Sequence, residues 1–149
     1  MIQNTVRRLC RKFIGKFIIP DINFSYSQFG EDLIIATLFG RLGIKKPTYL
    51  DIGANESRFI SNTYYFYEHG GSGVLIEPNP YLFKKLRRQR GRDIVLNTGI
   101  GMDEIKEADF YLFPNYANGL STFSENEARY WEETGMKGIG KIPVEKVRK

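Results

Sequence analysis

Three short apolar runs, each ending in a turn, constrain the fold of this chain more than any other feature of its sequence. Short runs rich in β-branched residues predict strands, and continuous apolar runs are typical of strands buried in a parallel sheet. Helix-like stretches separate them, so the predicted order is strand, helix, strand, helix, strand. The three runs are Thr48–Ile52, Val74–Ile76 and Ile94–Leu96.

The segments between and beyond these runs carry signals of their own. Asn79 is a favourable N-cap and Pro80 suits the first helical position, so a helix is predicted from there to Arg90. Ser124, followed three residues later by Glu127, predicts the start of another helix. The remaining predicted elements are a helix capped by Ser25 or Ser27, a helix over 57–69, a strand over 108–113, a helix over 124–133 and a last strand over 142–147.

This alternation predicts an α/β fold with a parallel sheet, because strand–helix–strand units cross over with one hand and place their strands side by side. In an open parallel sheet, ligands bind just beyond the carboxyl ends of the strands. Polar residues and glycine at those positions are therefore candidates for a binding site. They are Asp51, Gly53, Asn55, Glu77, Asn79 and Asn97.

A nucleoside cofactor suits these candidates. Gly53 allows a ligand to approach the backbone without a Cβ in the way, and Asn55 tolerates a left-handed turn. Glu77 follows Gly53 at close to the separation, about 20 residues, at which an acid on the second strand accepts hydrogen bonds from a ribose diol. Structural roles are the alternative, with Asp51 capping a helix and Glu77 pairing with a lysine.

The charge of the turn that follows the first predicted strand distinguishes between two nucleoside cofactors. A dinucleotide's pyrophosphate prefers a glycine-rich turn without acids, but Asp51 and Glu56 flank this turn and the pattern Gly-x-Gly-x-x-Gly is absent. S-adenosylmethionine carries a sulfonium and an ammonium group, which an acid attracts. The acids favour S-adenosylmethionine, with Asp51 at its methionine end, Glu77 at its ribose and the loop 97–99 at its adenine. A nicotinamide-dependent oxidoreductase is the alternative.

The same residues carry a family resemblance. Tyr49–Asn55, Ile76–Pro80 and Asn97–Gly101 resemble the first three motif regions of the FkbM family of S-adenosylmethionine-dependent methyltransferases, and Ser25–Asp32 is similar to a stretch that often precedes that domain. The resemblance implies a Rossmann-like class I methyltransferase, with flanking helices on a parallel sheet. It also implies methyl transfer from S-adenosylmethionine to an oxygen of a small-molecule acceptor, such as a natural product, a glycan or a lipid-linked sugar.

The sequence departs from the family pattern in two places. Ser57 stands where the family often has a glycine, and it is small enough to keep a helix and a ligand close together. The family continues beyond an equivalent of 142–147 into further strands, so the C-terminal half of the usual fold is expected to be absent. A non-catalytic, truncated cofactor-binding fragment is therefore a second hypothesis, and no catalytic base is assigned.

Residues 1–24 are expected to form a basic amphipathic segment, separate from a cofactor-binding domain over 25–149. Apolar residues at spacings of three and four alternate with cations over 1–19, which predicts a helix. Such a helix either contacts an anionic membrane surface or a partner, or packs at the domain edge beside solvent. The cations of residues 1–16 account for the whole net charge of +5, so nucleic acid is not a favoured partner.

Other protein classes are excluded by the cysteine, histidine and hydropathy patterns. Cys10 and His69 are the only residues of their kinds, which excludes an internal disulfide and a metal site built from these side chains. No apolar stretch approaches the roughly 20 residues that cross a bilayer, and no secretory signal is evident. We therefore expect a cytoplasmic protein without a metal.

Three further segments each have a structural and a functional interpretation. The cationic run over 84–92 is expected to be a solvated face, although it could contact phosphates. The aromatic run Tyr64–Tyr67 is expected to pack in the core, although it could stack on a ligand. The polar loop 118–122 either overhangs the substrate or forms a plain surface turn.

Overall fold

The computed structural model describes residues 23–101, 107–136 and 141–149. Its elements are α1 (Glu31–Arg41), β1 (Thr48–Ile52), α2 (Tyr64–Glu68), β2 (Ser72–Ile76), α3 (Pro80–Gln89), β3 (Ile94–Leu96), β4 (Asp109–Leu112), a 3₁₀ segment (Asn115–Leu120), α4 (Glu125–Thr134) and β5 (Glu145–Arg148). Three strands form a parallel sheet in the order β1-β2-β3, and β4 pairs with β5 in a separate antiparallel sheet. The predicted α/β class and the parallel sheet are confirmed.

The register of the parallel sheet brings its three strand ends to one edge. Ile76, the last residue of the central strand β2, lies opposite Ile52 on β1 and opposite Leu96 on β3. The residues that follow these three positions therefore leave the sheet side by side, because the strands run in the same direction. This shared edge is the one that the sequence predicts for ligand binding.

The two faces of the sheet differ in what covers them. One face packs against Leu86 of α3, around the fully buried Leu75 at its centre. On the other face, Leu50 of β1 and Ile94 of β3 each keep 62% of their surface exposed. The expectation that β3 is buried on both faces is wrong for the described part of the chain, because no described helix covers this side.

The helix predicted over 57–69 is largely wrong, because only α2 is helical there. Asn55 and Ile60 adopt left-handed backbone angles (φ 51° and 54°), and such angles interrupt a right-handed helix. The carbonyl oxygen of Ser57 accepts a hydrogen bond from Arg90 at 3.0 Å instead of one from a helical neighbour. Residues 56–63 consequently form bends and turns that precede the short helix.

The turn before α1 is organised around the carboxylate of Asp32, which is fully buried. Its oxygens accept hydrogen bonds from the hydroxyls of Ser25 and Ser27, at 2.6 and 2.9 Å, and from the N–H of Tyr26 at 2.7 Å. The N-cap of α1 is Gly30, at φ 88°, with no side-chain cap. No serine occupies the N-cap position, so the predicted cap is wrong in its position. The hydroxyl oxygen of Ser27 nevertheless accepts the N–H groups of Gly30 and Asp32, at 3.0 and 3.4 Å, and so contacts the start of the helix.

The predicted N-caps of α3 and α4 are confirmed. The side-chain oxygen of Asn79 accepts hydrogen bonds from the N–H groups of Tyr81 and Leu82, at 2.9 and 3.3 Å. The hydroxyl oxygen of Ser124 accepts one from the N–H of Glu127 at 3.3 Å. Both helices therefore begin at the positions that the sequence predicts.

The last part of the chain forms a second, small core. Phe113, Ala117 and Ala128 bury their side chains there together with Ile142, which is fully buried. The β4–β5 pair lies beside this core and does not extend the parallel sheet. The described residues thus contain a three-stranded parallel sheet with helical packing on one face, which is compatible with part of a Rossmann-like fold.

The predicted basic segment at the N-terminus lies outside the described residues, which begin at Asn23. The amphipathic helix over 1–19 and the domain boundary after residue 24 therefore stay predictions. Within the described ranges, no helix combines the length and the apolar character that crossing a membrane requires.

Gly73 permits the close approach of β1 and β2, and it generates a prediction about stability. A Cβ at Gly73 would overlap the carbonyl oxygen and the ring of Tyr49, whereas a Cβ at Gly91 would meet no atom within 4 Å. We expect Gly73→Ala to lower the free energy of unfolding by about 2–3 kcal/mol, the usual scale for overpacking. The control Gly91→Ala should change it by less than about 0.5 kcal/mol. Urea denaturation measures both, and equal stabilities would contradict the register described here.

Candidate functional site

A pocket of about 590 Å³ opens at the carboxyl edge of the parallel sheet. Its volume lies within the roughly 300–1,000 Å³ that is typical of small-molecule sites. One wall comes from the ends of β1 and β2 and the loop after β3, and the facing wall comes from β4 and residues 118–124. Three of the six predicted site residues line this pocket and three lie outside its walls. The first three are Gly53, Asn55 and Glu77, and the others are Asp51, Asn79 and Asn97.

The turn after β1 presents backbone, rather than a side chain, to the pocket. Gly53 (φ 73°) and Asn55 (φ 51°) both adopt left-handed angles, so the turn predicted at these residues is confirmed. The N–H groups of Gly53 and Ala54 donate to the carbonyl oxygen of Ile76 at 2.9 and 3.1 Å, which fastens the turn to β2. A Cβ at Gly53 would meet no protein atom within 4 Å, so this position borders open space.

Glu77 connects the loops that follow β1 and β2. One carboxylate oxygen accepts the N–H of Asn55 at 2.7 Å, and the other accepts the N–H of Asn79 at 2.8 Å. The side chain is held in one orientation by these two bonds, and the residue is only 4% exposed. Each carboxylate oxygen has a second lone pair, so Glu77, which lines the pocket, keeps acceptor capacity beyond these two bonds.

The carboxylates of Asp51 and Glu77 interact electrostatically at this edge of the sheet. Burial raises the pKa of Glu77, its two backbone hydrogen bonds lower it, and the negative charge of Asp51 raises it again, with a net upward shift. Asp51 accepts a hydrogen bond from the hydroxyl of Thr63 at 2.6 Å. Because two carboxylates lie near each other here, the edge favours a cationic ligand over an anionic one.

Asn55 leaves an acceptor without a partner beside the pocket. Its side-chain oxygen is buried, and no hydrogen-bond donor among the described residues reaches it. Buried polar atoms are normally paired, and an unpaired one costs about 1–3 kcal/mol. The unpaired acceptor therefore belongs to a residue that lines the pocket.

Asn79 and Asn97 hold loops in place at the same edge. Asn79 caps α3, and the side-chain amide of Asn97 donates to the carbonyl oxygens of Glu77 and Pro78 at 2.8 and 3.1 Å. The amide oxygen of Asn97 accepts a hydrogen bond from Lys149 at 2.6 Å. These contacts fix the loops after β2 and β3, and direct contact of either asparagine with a cofactor stays a prediction.

The sequence did not single out the aromatic wall of the pocket. Phe110 and Phe123 line it, with ring centroids 4.6 Å apart, and Phe123 lies so close to Gly99 that a Cβ there would overlap the ring. Gly99 was the one available signal, since a glycine in a loop permits close packing. Asn118 and Thr122 also line the pocket, which favours the overhanging interpretation of that polar loop over a plain surface turn.

Arg90 contradicts the expectation that the cationic run over 84–92 is wholly solvated. It is 1% exposed and forms an ion pair with Asp93, whose side chain is fully buried. Its guanidinium carbon lies 4.6 Å from the ring centroid of Tyr67, within the aromatic run that was expected to pack in the core. The alternation of charged positions alone could not reveal that one cation of the run faces inward.

A model of the Methyltransferase FkbM domain matches residues 51–149 of the chain. The match begins at Asp51 and includes the loops around Gly53 and Glu77, β2, α3 and β3, and it continues through the β4–β5 pair. No curated protein and no solved structure matches the chain significantly. The match confirms the family resemblance that the motif residues predicted.

The raised pKa of Glu77 predicts how stability depends on pH. The folded protein binds this proton more tightly than the unfolded chain, whose glutamate has the ordinary value of 4.5. The stability that the proton contributes is present below that value and is lost as the pH rises through the raised pKa. We therefore expect the wild type to lose free energy of unfolding relative to Glu77→Gln as the pH rises above 4.5.

Urea denaturation of both proteins at a series of pH values measures this difference. Glutamine does not titrate, so any stability lost with its altered hydrogen bonds is a constant offset. A difference that is independent of pH, or that changes in the opposite direction, would show that burial does not raise the pKa of Glu77.

Proposed function

The chain belongs to the FkbM methyltransferase family, and on that premise we propose that it binds S-adenosylmethionine in the pocket at the carboxyl edge of the sheet. The observation that carries the proposal is Glu77, a buried carboxylate at the end of β2 that lines the pocket and keeps a free lone pair on each oxygen. A ribose diol presents two hydroxyl donors, and this carboxylate can accept both.

The residues around Glu77 suit the other parts of the same cofactor. Gly53 leaves room for the methionine part. Asp51 does not line the pocket itself, but it directly precedes Ile52, which does, and it supplies negative charge for the ammonium and sulfonium groups. The unpaired oxygen of Asn55 matches a ligand that brings a hydrogen-bond donor. Thr98 and Gly99 border the pocket on the side of Phe123, where an adenine would lie against an aromatic ring.

Charge favours this cofactor over a dinucleotide. A pyrophosphate at the first turn would lie beside Asp51 and Glu77, and like charges repel at short range. Glu56 contributes less to this exclusion than the sequence suggests, because it forms an ion pair with Lys85. The preference for a cation therefore depends on Asp51 and Glu77.

When bound, S-adenosylmethionine supplies an electrophilic methyl group. The protein's contribution is to place an acceptor oxygen in line with that group and to exclude water, which lowers the barrier by orientation. We propose a hydroxyl-bearing acceptor, a sugar, glycan, lipid-linked sugar or natural product. This class is supported by the amide and hydroxyl groups of Asn118, Ser121 and Thr122 in the pocket wall, which both donate and accept hydrogen bonds.

Substitution of Gly53 tests the pocket, with Gly43 as a matched control. Both glycines have a positive φ, 73° and 72°, and a Cβ at either would meet no atom within 4 Å, but Gly43 lies after α1 and outside the pocket. Valine at either position should cost about 1–2 kcal/mol of stability because of the left-handed backbone. Gly53→Val should also lower the affinity for S-adenosylhomocysteine by more than about tenfold, since its side chain would occupy pocket space.

Calorimetric titration of the two folded variants, with thermal unfolding of the same preparations, measures both effects. Gly43→Val should bind S-adenosylhomocysteine as the wild type does. Equal affinities in the two variants would mean that Gly53 has only a structural role in the turn, and would contradict the proposed binding pocket.

A further inference from the structure

A buried cluster of polar side chains lies directly behind the sheet edge that carries Asp51. Its centre is the ion pair from Arg90 Nε to Asp93 Oδ2, at 2.7 Å, with both side chains at most 1% exposed. The other oxygen of Asp93 accepts the hydroxyl of Tyr49 and the N–H of Gly73, each at 2.8 Å. The charge of Arg90 is thus compensated inside the cluster and is not used to neutralise Asp51.

The far side of the guanidinium reaches the segment that leads into α2. One terminal nitrogen donates to the carbonyl oxygen of Ser57 at 3.0 Å. The other donates to the hydroxyl oxygens of Tyr49 and Thr63, both at 3.1 Å. Thr63 therefore lies between Arg90 on one side and Asp51 on the other.

The direction of the Thr63 hydroxyl follows from the chemistry of its neighbours. Arginine has only donors, so the hydroxyl oxygen must accept from Arg90, and its single hydrogen is left for Asp51. That hydrogen bond, to Asp51 Oδ2, is 2.6 Å long. Thr63 stands at the N-cap position of α2 but makes no cap hydrogen bond to the helix. Its hydroxyl donates to Asp51 and does not cap the helix.

We propose that Thr63, with its hydroxyl oriented by the buried Arg90–Asp93 pair, is a positioning residue that holds Asp51 ready for the amino-acid end of S-adenosylmethionine. The inference rests on the proposed function. Asp51 directly precedes Ile52 and Gly53, which line the pocket, although it is not itself part of the pocket wall. Thr63 occupies one oxygen of Asp51, and the other oxygen accepts no hydrogen bond from the described residues. Because the hydroxyl is neutral, Asp51 keeps its negative charge for a cationic ligand.

The composition of the cluster supports this role over a purely structural one. A buried ion pair is costly to desolvate, and replacement of such pairs by apolar residues of similar size is often neutral or stabilising. A direct contact of Arg90 with Asp51 would fix the carboxylate more strongly, but it would also neutralise it. Because the neutral hydroxyl of Thr63 lies between Arg90 and Asp51, it can orient the carboxylate without neutralising its charge.

The test uses two ligands that differ only at the end which Asp51 is proposed to bind. S-adenosylhomocysteine carries the amino-acid group, and 5′-methylthioadenosine keeps the adenosine and the thioether but lacks it. Thr63→Val removes the hydroxyl with little change of shape. We expect it to weaken S-adenosylhomocysteine about tenfold, the scale for a hydrogen bond to a charged group, and to leave 5′-methylthioadenosine within about twofold of the wild type.

Two further variants control for folding and for the hydroxyl itself. Thr63→Ser restores the hydroxyl and should restore the affinity for S-adenosylhomocysteine. Ser61→Ala removes another buried hydroxyl from the same segment. That hydroxyl accepts the N–H of Tyr64 and is not hydrogen-bonded to Asp51, so its loss should leave both affinities unchanged. Thermal unfolding of each variant establishes that the titrated protein is folded.

The outcomes separate this inference from the function on which it rests. Equal loss of both ligands in Thr63→Val, or no loss of either, would overturn the positioning role while the cofactor assignment stands. Failure of the wild type to bind S-adenosylhomocysteine would overturn the proposed function and this inference with it. Selective loss of the amino-acid-bearing ligand, with rescue by serine, supports both.

Discussion

The buried ion pair between Arg90 and Asp93 is the interaction on which the geometry of the sheet edge depends. Removing two charges from water costs several kcal/mol per ion, and the cost is offset only when the remaining donors and acceptors are also paired. That pairing comes from the hydroxyl of Tyr49 on β1, the N–H of Gly73 on β2 and the carbonyl oxygen of Ser57. The end of α3 is thereby tied to both strands and to the segment that follows the first turn.

The carboxyl edge of the sheet, in front of this cluster, is negatively charged because Asp51 and Glu77 have no cationic partner among the described residues. Glu77 is bound by two neutral backbone N–H groups and Asp51 by one neutral hydroxyl, so no described cation compensates either carboxylate. The left-handed turn at Gly53 then brings backbone to the same place without a side chain. An acidic, glycine-lined edge is consistent with the cationic cofactor proposed for this chain, which belongs to a methyltransferase family.

Local sequence signals predicted the parts of this structure that local physics controls. The apolar run Thr48–Ile52 is the first strand, and Asn79 and Ser124 cap the helices that they were expected to cap. The irregular segment before α2 was missed because its backbone bonds go to distant partners, such as Arg90, which no periodicity reveals. For the same reason, the sequence did not distinguish Arg90, whose side chain is buried, from the other cations of the run over 84–92. At the edge, Glu77 could be chosen from its spacing, but the aromatic wall comes from residues far along the chain.

Calorimetric titration of the wild-type chain with S-adenosylhomocysteine, and separately with NAD, tests the central claim that this acidic edge binds a cationic nucleoside cofactor and not a dinucleotide. S-adenosylhomocysteine keeps the adenosine and the ammonium group, whereas NAD shares the adenosine but brings a pyrophosphate. We predict saturable binding of one S-adenosylhomocysteine per chain and no measurable binding of NAD at the same concentrations. Tight binding of NAD, with none of S-adenosylhomocysteine, would contradict it.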